Sequence, residues 1–294
     1  MPRRFAALAW TAAAATYVLI VLGAVVRISG SGLGCGDDWP VCHGRLIPPL
    51  SDIKTFIEWN HRLFAGLVTI LVVLLAGAAW RLRKQRGAGS GEQDVPRIAS
   101  YVALGLLVVQ IALGGIVVKQ DLQPYLVALH FGNALLLLGT LIGVATGGRL
   151  PAPRSRAAVA ALWGFVTLLL GALTANLGAA TACTGFPLCN GQIIPSGTWL
   201  QGLHWVHRLA AYGLVLFLAW WAWESKSRAP RLALGVALLQ IVIAAAMVSL
   251  GVPPWLQAAH AAAGTAVWAV LAGIASRNER GPVAGASSIH RAVP

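Results

Sequence analysis

Long uncharged apolar runs alternate with short basic segments along this chain. Residues 5–26 form the first run and 63–80 the second, and 98–118 and 122–148 follow. Residues 157–207 carry no charge either, but their middle, 178–197, is rich in Gly, Cys, Pro and Asn and reads as a loop. A sixth run ends at Trp223, and the uncharged stretch 232–276 is broken in two by Gly251, Pro253 and Pro254. A bilayer span needs roughly 20 apolar residues. The pattern therefore predicts an all-α integral membrane protein with eight transmembrane helices. The sixth is the weakest because Arg208 sits inside it. The first run is long for the apolar core of a signal peptide, and no clean small-residue cleavage site follows it.

The second half of the pattern echoes the first. Pro40, Cys42 and Pro48 correspond to Pro187, Cys189 and Pro195 at one offset. The run Trp59-Asn-His-Arg-Leu63 corresponds to Trp205-Val-His-Arg-Leu209. Farther on, Gln110-Ile111 corresponds to Gln240-Ile241, and His130 to His260. Two pseudo-symmetric four-helix bundles are expected, one over 1–150 and one over 151–294. Each has an even number of spans, so both insert the same way up, about a pseudo-twofold axis along the membrane normal.

Composition supports the membrane and removes one competing class. The chain is 57% hydrophobic and 11% charged, with a mean hydropathy of +0.73. Soluble domains carry about 25% charged residues. The net charge of +13 would suit nucleic acid if it lay on one face, but the basic residues are spread through the short connectors. Of the 22 Lys and Arg residues, sixteen fall on the side of the termini and six on the other. The positive-inside rule places both termini in the cytoplasm of a multi-pass cell-membrane protein, with the loops 28–58 and 178–198 facing outward.

Four histidines fall inside spans, one each on helices 2, 4, 6 and 8: His61, His130, His207 and His260. His61 is about 9 Å along its helix if that helix begins near Thr55, and His130 about 12 Å along if its helix begins near Leu122. Two pairs at one depth, one per bundle, suit a flat cofactor gripped from both faces. Haem iron commonly takes axial His, and bundle cores commonly hold it. The competing reading is polar residues bonding between helices, although ionisable residues within a membrane are usually functional. Zinc fits less well, since it prefers three or four clustered ligands with Cys or carboxylate.

Beside these histidines the halves differ. Glu58 stands where the second half has His204. Either the carboxylate serves the site, or Thr55-Phe-Ile-Glu58 is a capping box, or both hold. Arg62 and Arg208 follow the helix-2 and helix-6 histidines; each either pairs with a carboxylate such as a haem propionate or snorkels to the interface. The four cysteines lie in the outer loops, and their even number in an oxidising compartment argues for disulfides. Short closures within one loop predict Cys35–Cys42 and Cys183–Cys189, with structural stapling and redox activity both open. His43 is a loop residue and His290 lies in a polar tail; neither receives a role.

The segment Gly30-Ser-Gly-Leu-Gly-Cys-Gly-Asp-Asp-Trp-Pro-Val-Cys-His-Gly44 resembles the first outer loop of the haem A synthases, and Glu58-Trp-Asn-His-Arg62 resembles that family's Glu-x-x-His-Arg signature. The resemblance extends over essentially the whole chain. It implies oxidation of the C8 methyl group of haem O to a formyl group, giving haem A for terminal oxidases. It further implies that His61 and His130 frame haem O, that His207 and His260 ligate the iron of haem b, and that Glu58 is the carboxylate needed for turnover. The partners it implies are membrane lipid, a haem O synthase (a farnesyltransferase) and an electron acceptor the sequence does not identify; nucleic acid is not among them. Two rivals remain. A di-haem electron-transfer cytochrome linked to quinol would explain the histidines but not the Glu58/His204 asymmetry. A membrane thiol-disulfide oxidoreductase would explain the cysteines alone.

Overall fold

In the computed structural model, residues 1–86, 91–147 and 155–277 are described. The domain boundary expected at 150/151 and His290 lie outside them. Eight helices follow one another: α1 Arg3–Ile28, α2 Ile53–Arg86, α3 Gly91–Lys119, α4 Pro124–Ala145, α5 Arg156–Asn176, α6 Trp199–Glu224, α7 Arg228–Ser249 and α8 Pro254–Ser276. All eight are long and apolar enough to cross a membrane. Many of their large apolar side chains, including Ile70, Leu162 and Val242, point outward from the bundle. That is the expected surface for helices whose solvent is lipid.

The ends of the helices have local causes. Asp52 caps α2: its Oδ2 accepts the Thr55 N–H at 2.8 Å and the Thr55 hydroxyl at 3.0 Å. Those bonds hold the Asp52 carboxyl below the usual carboxylate range, the backbone bond most of all. The helix thus begins two residues before Thr55, and the Thr55–Glu58 capping box is not formed. Proline at the first helical position starts α4 and α8, where a missing N–H costs nothing. Helix 4 accordingly begins at Pro124, after a turn through Leu122. Serine side chains cap α5 and α7, accepting the N–H of Ala158 and of Ala229.

Contacts define two groups of four. Helices α1–α4 close a ring through α1 against α4, and α5–α8 close one through α5 against α8. The groups meet where α4 packs on α5 and α8, and α1 on α8. Glycines on α4 permit the close approach. A Cβ at Gly139 would lie 2.9 Å from the Trp268 ring, and one at Gly132 would lie 2.8 Å from Leu169. Among the described residues four hydrogen bonds cross the seam: Trp268 Nε1 to the Leu135 carbonyl at 2.7 Å, Tyr17 Oη to the Ala262 carbonyl at 2.9 Å, Arg27 Nη2 to Gln257 Oε1 at 3.2 Å, and Thr146 with Ser276 at 3.0 Å.

Packing is uneven along the helix axes. The fully buried residues of α1 stop at Ile20, and those of α7 stop at Ala237. In α8 all but Leu256 lie at or beyond Gly264. Each bundle is therefore tightly filled at the end bearing the termini and looser toward the loops 29–52 and 177–198. The four span histidines sit at that transition.

Trp268 joins the two halves through its indole N–H on the Leu135 carbonyl and its ring against Gly139 of α4, and within its own half it packs on Phe165, with centroids 5.5 Å apart. Trp268→Ala is expected to destabilise the folded protein by about 3–5 kcal/mol, and Trp268→Phe by much less. Unfolding in mixed micelles with increasing SDS checks this.

Candidate functional site

Glu58, His61 and Arg62 are spaced three and four residues apart on α2, so they share one face. His61 points toward α1, where a Cβ at Gly23 would lie 3.3 Å from its Cε1. His130 on α4 meets Gly114 of α3 in the same way, at 3.4 Å. Glycine gives each flat imidazole room to lie against the neighbouring backbone. The two rings are electrostatic neighbours across the first bundle. Gln110 of α3 orders one of them. Its Oε1 accepts from Asn133 at 2.7 Å, which turns its amide nitrogen toward His130 Nε2 at 3.0 Å. The Nδ1 atoms of His61 and His130 are buried with no hydrogen-bond partner in the protein.

The second bundle repeats this plan with one firmer constraint. His207 Nδ1 lies 3.1 Å from the Thr167 carbonyl. That carbonyl can only accept, so Nδ1 carries the proton and Nε2 keeps its lone pair. Metal-ligating histidines are commonly oriented by such a bond from the other ring nitrogen. A Cβ at Gly171 would lie 2.9 Å from the His207 ring. Gln240 Nε2 lies 3.0 Å from both His260 Nδ1 and the His260 carbonyl. His260 is an electrostatic neighbour of His207 and His204.

Above each pair lies a loop closed by a disulfide, Cys35–Cys42 in one half and Cys183–Cys189 in the other. Each loop turns through two residues of positive φ, His43-Gly44 and Asn190-Gly191, the signature of a type I′ hairpin. This gives His43 a structural place: its ring also bonds the Gly34 carbonyl at 3.0 Å. The arginines hold the loops down. Arg62 Nη1 donates to the carbonyls of Asp38, at 2.7 Å, and Val41. Arg208 donates to Gly185, Leu188 and Cys183 at 3.0, 2.9 and 3.0 Å. Arg208 thus commits its bonds to loop backbone, whereas Arg62 divides its own between loop backbone and Glu58.

Glu58 is buried, with 3% of its surface exposed. Its Oε2 accepts the Cys35 N–H at 2.8 Å, and its Oε1 accepts two N–H groups of Arg62. His204, also buried, instead bonds the Ala179 carbonyl at 2.9 Å. Both residues tie a loop to a helix, but the first half uses an acceptor of protons and the second a neutral ring. A carboxylate beside one imidazole pair and not the other makes the two sites chemically distinct.

Paired imidazoles on facing helices suit axial coordination of a flat iron cofactor. The residues fit it: orphaned ring nitrogens mark the first pair, and His207 is fixed with one nitrogen free. Among the described residues, no three His, Cys, Asp or Glu side chains gather as a metal cage. Sequence reasoning missed Gln110, Asn133, Gln240, Thr167 and the glycines that face the rings. The signal for the glutamines was present, since Gln110/Gln240 repeats with the same spacing as His130/His260.

Comparison with known proteins shows the family. The family model COX15-CtaA, described as cytochrome oxidase assembly protein, matches residues 6–272. A heme A synthase of Alkalihalophilus pseudofirmus is 37% identical over 216 residues, 68% of this chain and 70% of its own. Those of Shouchella clausii and Symbiobacterium thermophilum are 33% and 34% identical, each covering 80% of this chain and 82% and 81% of their own.

Removing an arginine should free its loop. Charge-assisted bonds contribute about 1.5–3 kcal/mol each, so Arg208→Ala is expected to speed amide exchange over residues 183–189 at least ~tenfold. The loop at 35–42 should be unchanged. Arg62→Ala should show the reverse, as read by hydrogen–deuterium exchange mass spectrometry.

Proposed function

Because the chain belongs to the COX15-CtaA family of cytochrome oxidase assembly proteins, we propose that its two bundles divide the work of one enzyme, the first holding substrate and the second holding an electron-transfer haem. The enzyme is a haem A synthase, an oxidoreductase that converts the C8 methyl group of haem O to the formyl group of haem A. It is an integral membrane protein, which suits a substrate with a long isoprenoid chain.

In this reading His61 and His130, within 1–150, frame haem O. His207 and His260, within 151–294, would hold the iron of haem b. Haem b, when bound, supplies one-electron transfer. The observation that carries the division is the Glu58/His204 difference: two halves with the same histidine plan, of which one has a buried carboxylate a single turn from its pair. Oxidation of a methyl group releases protons, and Glu58 is the group placed to accept them. Arg62 keeps Glu58 in position through its own N–H donors, and the Cys35 N–H fixes the second oxygen. The disulfide-closed loop, pinned by Arg62, shields the reacting edge of the substrate from bulk water. Any propionate contact by Arg62 or Arg208 falls to the N–H groups not spent on the loops.

Both termini face the cytoplasm of the cell membrane in this account, which the excess of Arg and Lys on that side supports. The loops and their disulfides then face an oxidising compartment. A farnesyltransferase supplies haem O, and a separate acceptor removes the electrons.

The test is Glu58→Gln, expressed with a supply of haem O. The amide oxygen can still accept the Cys35 N–H while its NH2 faces the Arg62 donors, so loop exchange over 35–42 is measured beside turnover to separate loop loosening from lost chemistry. Haem b content should be unchanged. Conversion to haem A is expected to fall roughly 10²–10⁴-fold, the range for a lost general acid–base group, with haem O or a partly oxidised haem accumulating. Wild-type yields of haem A would show that Glu58 only anchors the loop.

A further inference from the structure

A groove of about 250 Å³ opens between α1 and α2 toward the loop end, lined by Leu22, Val25, Phe56, Ile57, Asn60 and Phe64. It starts beside the first histidine pair. Ile57 lies four residues before His61 and Phe64 three after it, so both share the face of the imidazole. Gly23, which receives the His61 ring, adjoins Leu22. Phe56 and Asn60 lie around the helix from that face, and Phe56 is 43% exposed on the outer surface. The groove therefore runs from the edge of the His61 site to the surface that meets lipid.

The second bundle lacks the same walls. With Trp59 aligned to Trp205, the positions of Phe56, Asn60 and Phe64 are held by Gly202, Val206 and Ala210. Both aromatic rings and the single amide are gone, although the histidine, arginine and disulfide loop are all kept. Something at the first site needs this wall, and the second site has no use for it.

Resting on the reading that the first bundle holds haem O, we propose that the α1–α2 groove is the binding channel for the isoprenoid chain of the substrate and the element that selects haem O over tail-less haem. The two haems differ in that respect: haem O carries a long apolar chain with a hydroxyl at its root, and haem b does not. A macrocycle gripped by His61 brings its rim to the bundle wall, so a chain of that length must leave between two helices. The groove offers an apolar exit with one polar position. Asn60 spends its amide N–H on the Phe56 carbonyl at 2.8 Å, which leaves Oδ1 to accept from the hydroxyl. Phe56 and Phe64 then pack along the chain as it turns into the bilayer.

The experiment titrates purified protein, with its C-terminal haem in place, with haem O and with haem B. Val25→Trp fills the groove from α1 and leaves His61 and Glu58 untouched. A second variant, Asn60→Val with Phe64→Ala, carries the residues of the other half. The absorbance of the C-terminal haem reports that each variant is folded. Wild type is expected to prefer haem O. Val25→Trp should lose that preference by roughly tenfold or more, about the loss for one or two displaced methylenes, with affinity for haem B unchanged. The double variant should lose part of it. Benzoylphenylalanine in place of Phe56, whose ring already lines the groove, should, on illumination, form an adduct with haem O and none with haem B. An undiminished preference in Val25→Trp, or equal adducts with both haems, overturns the groove while leaving the histidine reading intact. A wild-type protein that takes up no haem O beyond its C-terminal haem overturns both.

Discussion

A polar side chain within a bilayer-spanning helix must find its partner inside the protein, because lipid offers none. Nearly every functional feature of this chain follows from how that demand is met. Arg62 and Arg208 meet it by reaching loop carbonyls. Glu58 meets it with Arg62 and the Cys35 N–H, and His204 with the Ala179 carbonyl. Among the described residues, the buried atoms that no side chain or backbone group serves include the Nδ1 atoms of His61 and His130. They sit where the apolar packing thins out.

The two halves show what duplication preserved and what it released. Both keep the glycine-backed imidazole, the arginine that pins the loop, the disulfide and the hairpin of positive-φ residues. These are the parts that build a covered slot for a flat cofactor. The differences cluster at one level of α2 and α6: a carboxylate against a neutral ring, and aromatic walls against small residues. In the proposed division of labour, these differences separate the site that reacts from the one that passes electrons.

Much of this was legible in the sequence because the membrane enforces simple rules. The apolar runs located all eight helices, even α6, whose Arg208 is tolerated since its guanidinium reaches out to three loop carbonyls. Helix starts were less legible. Thr55 looked like a cap, yet Asp52 takes that role, and the Thr55 hydroxyl is shared between Asp52 at 3.0 Å and the Gly34 carbonyl at 2.6 Å. The supporting residues of the site were the least visible. A single Gly within an apolar run has no periodic signature, and although the glutamines repeat with the histidines, their purpose appears only when the helix beside them brings a histidine into reach.

The central claim is that the two histidine pairs hold different haems. It is tested most directly by replacing each pair with alanine, supplying haem O during expression, and identifying the haems extracted per protein chain. The account predicts that His61→Ala/His130→Ala retains haem b and holds neither haem O nor haem A. It predicts that His207→Ala/His260→Ala loses haem b while the first bundle still holds haem O. Loss of haem b from the first variant with haem O retained, or equal loss of both haems from each, would contradict it.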